Sequence, residues 1–177
     1  MLIINNTSNP IYYAFELKYA DKIISQKDIL NKIQIEVINI EDYLQQKENL
    51  PIIENVEEQV MSCYILKNDE SITSTIAGIV INPSFIERLS LSEQEIMACL
   101  AHEIGHIAFF FIENKESYSS FCQEAYADEY AQTIGLGGHL CSALNKLIKS
   151  ELYCENLTKL IHTRIKLIKM FAQTKTS

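Results

Sequence analysis

Several things are scarce or missing in this chain, and each excludes something. No apolar run approaches the roughly 18 residues that a membrane-crossing helix needs. The longest, Ile104 to Ile112, is short and carries His106. The opening Met1-Leu2-Ile3-Ile4-Asn5-Asn6 has no basic flank and a very short apolar stretch, so it is not expected to be a secretory signal. Positive charge is in deficit: 15 Lys and Arg face 23 Asp and Glu, for a net charge of −8. That balance argues against a nucleic-acid surface and gives no reason to expect attraction to anionic membranes. The cysteines are odd in number, at Cys63, Cys99, Cys122, Cys141 and Cys154, and no C-x-x-C pair occurs. A disulfide framework and a zinc ribbon are therefore not expected. Free thiols fit a reducing compartment, so a cytoplasmic location is expected. No repeat, low-complexity tract, helix-turn-helix or sensor segment is visible. What remains is a chain of 177 residues with 47% hydrophobic content, enough for one domain with a sizeable core.

The elements fall in two halves. Residues 1–60 are the less legible part. Pro10 to Ala20 reads as strand or helix, and the alternation Ile33, Ile35, Val37 reads as a strand. Asp42 to Asn49 is polar and fits a short helix or loop before Pro51. Residues 60–67 and 72–81 are β-rich and flank the turn cluster Asn68-Asp69-Glu70-Ser71, which predicts a hairpin. After Pro83, residues 84–89 suit one or two helical turns. Ser92-Glu93-Gln94-Glu95 is a capping box that starts the main helix. Residues 113–118 are a polar connection. Further helices are expected over about 119–134, stopped by Gly135, then over about 139–150 and 155–172, with a frayed end at 173–177.

The main helix carries His102-Glu103-Ile104-Gly105-His106, an H-E-x-x-H pentapeptide. Residues four apart share a helix face, so both imidazoles can reach one ion. Glu103 can lean over the same ion without binding it and take a proton from water. Downstream, Glu124-Ala125-Tyr126-Ala127-Asp128 repeats the spacing of four with two carboxylates. Glu124 on a second helix completes a His₂Glu set and leaves a fourth position open. Asp128, one turn on, can accept the other ring N–H of a ligating histidine, His102 in particular, and hold its tautomer. Ala127 and Ala131 are small enough to let another helix come close.

Competing readings are weaker. Phe109 and Ile112 stand where a metzincin needs Gly and a third His. A structural zinc site would use four protein ligands, often Cys, and would leave Glu103 without a purpose. Cys63 reads as a small core residue in a strand, with an inhibitory thiolate on the metal as the other reading.

Taken together, these stretches resemble the HtpX-type and CAAX-prenyl-protease-type gluzincin metallopeptidases. The likeness runs over about residues 72–168. It rests on Ile79-Val80-Ile81-Asn82-Pro83-Ser84-Phe85-Ile86, on Leu91 to His106, and on Glu124 to Asp128, which is similar to the family's E-x-x-A-D ligand helix. Leu160-Ile161-His162-Thr163-Arg164-Ile165 is loosely similar to the family's H-P…R-I element and implies an oxyanion-stabilising role for His162 or Arg164. Thr163 alone stands between the two, and the family's membrane helices have no counterpart here. The H-E-x-G-H form also resembles the ImmA/IrrE type, which cleaves a regulatory partner.

The resulting expectation is an α+β, zincin-like single domain over residues 1–177 with its metallopeptidase core at 61–172. A small N-terminal sheet packs on the His102 helix, and a helical C-terminal half supplies Glu124. The expected function is zinc-dependent endopeptidase, with Zn²⁺ on His102, His106 and Glu124, Glu103 as base, and a protein or peptide as substrate. The strand around Ile76–Ile81 is expected at the sheet's edge, where it would pair with extended substrate. The competing class is a non-catalytic zincin-fold component of a larger protein assembly.

Overall fold

The fold is given by a computed structural model that describes residues 2–5, 15, 18–19, 33–66, 75–112 and 119–174. Its four strands are β1 (Leu2–Asn5), β2 (Ile33–Asn39), β3 (Met61–Leu66) and β4 (Thr75–Ile81). A short helix α1 (Ile40–Gln46) follows β2, and α2 (Pro83–Arg88) follows β4. Four longer helices complete the chain: α3 (Glu93–Ile112), α4 (Ser120–Thr133), α5 (Gly137–Lys149) and α6 (Glu155–Thr174). The α+β class and the sheet-on-helix arrangement agree with the sequence reading.

The sheet order is β1-β2-β4-β3. β2 runs parallel to both β1 and β4, while β3 runs antiparallel to β4, with Tyr64 opposite Gly78. The hairpin is therefore present, although its turn at 68–71 lies outside the described residues. One expectation is corrected. β4 is not an edge strand, because β2 arrives on its far side and pairs along Ile33–Asn39. The strand beside the open edge is β3, which has no second strand partner among the described residues.

Period-two alternation covers both faces of the sheet. Ile35, Val37, Ala77, Ile79, Ile81 and Met61 face the main core with α3. Ile38, Val80 and Tyr64 face a smaller cluster closed by Ile40, Tyr43 and Val56. In the stretch Pro10 to Ala20, the described residues Phe15 and Tyr19 are helical and buried in the main core.

α3 is the central helix. Ile96, Met97, Leu100, Ala101, Ile104, Ile107 and Ala108 are all buried, so the helix is apolar on nearly every side, as a helix inside a core should be. Its start is the capping box. Ser92 N–H donates to Glu95 Oε2 at 2.6 Å, and Glu95 N–H donates to Ser92 Oγ at 3.4 Å. Glu95 does more than cap. It is buried, and it also accepts from Ser142 Oγ at 2.6 Å and Lys146 Nζ at 2.7 Å on α5. These bonds hold its carboxyl down at about 2 against the upward push of burial.

Ser119 caps α4 by accepting from Cys122 N–H at 3.4 Å, and Gly135 takes a φ of 92° just past its end. α5 starts at Gly137, two residues earlier than its glycines suggest, and α6 continues to Thr174 rather than fraying after 172. The connection at 113–118 lies outside the described residues.

Candidate metal centre

The site lies where α3, α4 and α6 converge beside β3. α3 supplies His102, Glu103 and His106, which are polar intrusions in an otherwise apolar helix. α4 supplies Glu124 and Asp128 from one face. Close approach of the two helices depends on Gly105, whose missing side chain leaves room for the Ala127 backbone. Ala127 and Ala131 are fully buried in this contact, as their size suggested.

His102, His106 and Glu124 form a group that can hold a metal ion, each with a ligand atom within 4.8 Å of the others. The closer distances are informative. His102 Nε2 and His106 Nε2 are 3.0 Å apart. Glu124 Oε2 is 3.5 Å from His102 Nε2, and Glu124 Oε1 is 3.3 Å from His106 Nε2. Tetrahedral ligands bonded at about 2.0–2.1 Å stand about 3.3 Å from one another. Glu124 turns one oxygen to each histidine, and the three residues enclose a space of the size such a shell needs.

The surrounding charges also suit a dication. Glu103, Glu124 and Asp128 converge with a single guanidinium, that of Arg164. With neutral imidazoles the cluster carries two formal negative charges, which a divalent ion would balance.

Asp128 holds the outer side of the site. Its Oδ1 is 3.0 Å from His102 Nδ1, which fixes Nε2 as the ring atom turned to Glu124 and His106. Arg164 grips Asp128 with both forks, Nε to Oδ2 at 2.8 Å and Nη2 to Oδ1 at 2.7 Å. Its Nη1 lies 2.6 Å from Glu124 Oε2. Burial favours the neutral form of all these groups, but the pairing outweighs it. Hydrogen bonds from Arg164 and His102 hold Asp128 below the usual carboxylate range, and bonds from both histidines do the same for Glu124. Burial and Arg164 pull His102 down, yet Asp128 and Glu124 raise it to about 9.

Of the remaining expected residues, Glu103 is buried and lines the same cavity as the ligand group. Arg164 is in the site, but its guanidinium is engaged by two carboxylates. His162 is exposed, points about 200° around α6 from Arg164, and does not line the cavity.

Cys63, weighed as a core residue or a thiolate on the metal, lies beside the site. On β3 it lines the same cavity as Glu103, and burial, then the Glu103 charge, pushes its thiol well above the usual value. It therefore stands as a protonated thiol outside the ligand group, between the two roles the sequence allowed for it. The clue was strand alternation, which places Cys63 on the same face as Met61 and Ile65.

Comparison with known proteins adds no relative: no family model, no curated protein and no solved structure matches this chain. Among the described residues no helix is long and apolar enough to cross a membrane.

Proposed function

We propose that this chain is a zinc-dependent endopeptidase of zincin type. The observation that carries this reading is the close grouping of His102, His106 and Glu124, with Glu103 beside them on one cavity wall but outside the group. A His₂Glu set suits zinc, which supplies Lewis acidity and lowers the pKa of water toward neutrality.

The chain's own groups divide the remaining work. Asp128 fixes the His102 tautomer, and Arg164 keeps Asp128 and Glu124 ionised and in place. Glu103 takes the proton of the attacking water and returns it to the leaving amine. The open edge of β3 offers backbone groups to an extended segment, which favours unfolded or loop substrates. Met61, Ser62 and Cys63 of this strand line the cavity beside the histidines.

The test is Glu103→Gln. The amide is nearly isosteric but cannot accept the proton. The variant should keep its fold and its zinc while cleavage of casein falls by about 10²–10⁴-fold. Equal cleavage by both proteins would overturn the assignment. Full zinc occupancy with no cleavage by the unaltered protein would favour a zinc-holding binding module instead.

A further inference from the structure

The cavity that reaches the metal centre is far larger than the centre requires, about 650 Å³. Two helices wall it with the same spacing. On α5 the lining residues are Leu140, Ala143, Leu144 and Leu147. On α6 they are Leu157, Leu160, Ile161 and Arg164. Each set follows an i, i+3, i+4, i+7 stripe, so each helix turns one continuous face to the cavity. Arg164 ends the α6 stripe at the carboxylates, and Leu157 begins it two turns away, about 10 Å along the axis. The trough therefore runs from the ion site along apolar wall, for the length of about three extended residues.

Its charge is one-sided. The acidic groups lining it are Glu54, Glu103 and Glu124, and Arg164 is the one Lys or Arg among the described lining residues. Arg164 is engaged by Asp128 and Glu124. Away from the ion site, an acidic side chain entering the trough would find no free cation to pair with and would lose its water. A bulky apolar one would cover leucine.

We infer that the trough is a specificity site that selects peptide segments bearing bulky apolar side chains (Leu, Phe, Met) next to the scissile bond and rejects Asp and Glu there. This rests on the endopeptidase reading for its link to cleavage, while the binding preference stands on the trough alone.

The experiment separates the two. Zinc-loaded Glu103→Gln protein is titrated with blocked hexapeptides identical except for Ala, Leu, Phe or Asp at one central position. In parallel, casein fragments made by the unaltered protein are sequenced by mass spectrometry. The Leu and Phe peptides should bind about tenfold or more tighter than Ala, with Asp the weakest. Cleavage sites should be enriched in apolar and depleted in acidic neighbours. Leu157 is only half-buried, so Leu157→Arg should fold, and it should raise affinity for the Asp peptide toward that for Ala. Ala143→Phe, which fills the trough, should erase the Leu and Phe advantage. Indifference of the Glu103→Gln protein to the central residue would overturn the inference, as would an unchanged order in Leu157→Arg. The expected binding order without any cleavage by the unaltered protein would leave the trough standing and remove the endopeptidase reading.

Discussion

Gly105 on α3 meets Ala127 on α4 so closely that a Cβ added at residue 105 would lie 2.7 Å from the Ala127 Cα. The opposing atom is backbone, so it can yield only if the two ligand-bearing helices move apart. Gly105→Ala should cost about 1–3 kcal/mol despite the better helix propensity of alanine. It should also weaken zinc retention, because the movement separates His102 and His106 from Glu124. Gly138→Ala is the control: nothing lies near its added Cβ, and it should be neutral or mildly stabilising. Thermal melting and zinc content of the pair test this, and a stable, fully loaded Gly105→Ala protein would refute it.

One zinc per chain is expected after reconstitution and dialysis, read by elemental analysis. His102→Ala, His106→Ala and Glu124→Ala should each abolish it. Asp128→Ala should instead weaken affinity by roughly 10–100-fold, since it frees the His102 ring without removing a donor. Occupancy below about a tenth of an equivalent in the unaltered protein would sink the metal assignment.

Glu95 makes the fold acid-sensitive. Its folded pKa of about 2 lies below its ordinary value of 4.5. A lowered carboxyl stabilises the fold above its unfolded pKa, and that contribution fades as pH falls from about 5 toward 2. At neutral pH it amounts to roughly 3 kcal/mol at most. Urea midpoints for Glu95→Gln should lie below those of the unaltered protein at pH 7 and converge with them near pH 2–3. Parallel curves down to that pH would contradict the role given to Lys146 and Ser142.

His102 has the opposite sign. In the metal-free protein its pKa is raised from 6.5 to about 9. Its ion pairs with Asp128 and Glu124 therefore contribute fully below about pH 6.5 and are lost as pH rises through 9. Melting temperatures in chelator should fall across that window. Zinc takes the place of the proton, so the loaded protein should show a flatter profile. A chelated protein whose stability is level from pH 6.5 to 9.5 would argue against this pairing.

Local spacing carried much of the architecture and the donor set. The capping box at Ser92, the helix stop at Gly135, and the pairs His102–His106 and Glu124–Asp128 all follow from 3.6 residues per turn, so they are legible in a single stretch of chain. So are the two strands of the β3–β4 hairpin. What the tertiary structure alone decided involves partners distant in sequence. β2 slots in beside β4 and leaves the edge to β3, because strand periodicity records which face is buried but not which strand is the neighbour. Arg164 reads as half of a surface pair with His162, yet it sits 36 residues from Asp128 in sequence and grips it in space. Cys63 and Glu103 come to line one cavity only when β3 lies against α3. The leucine stripes of α5 and α6 look like ordinary core faces. That they also line a cavity reaching the histidines depends on the packing of every element around them.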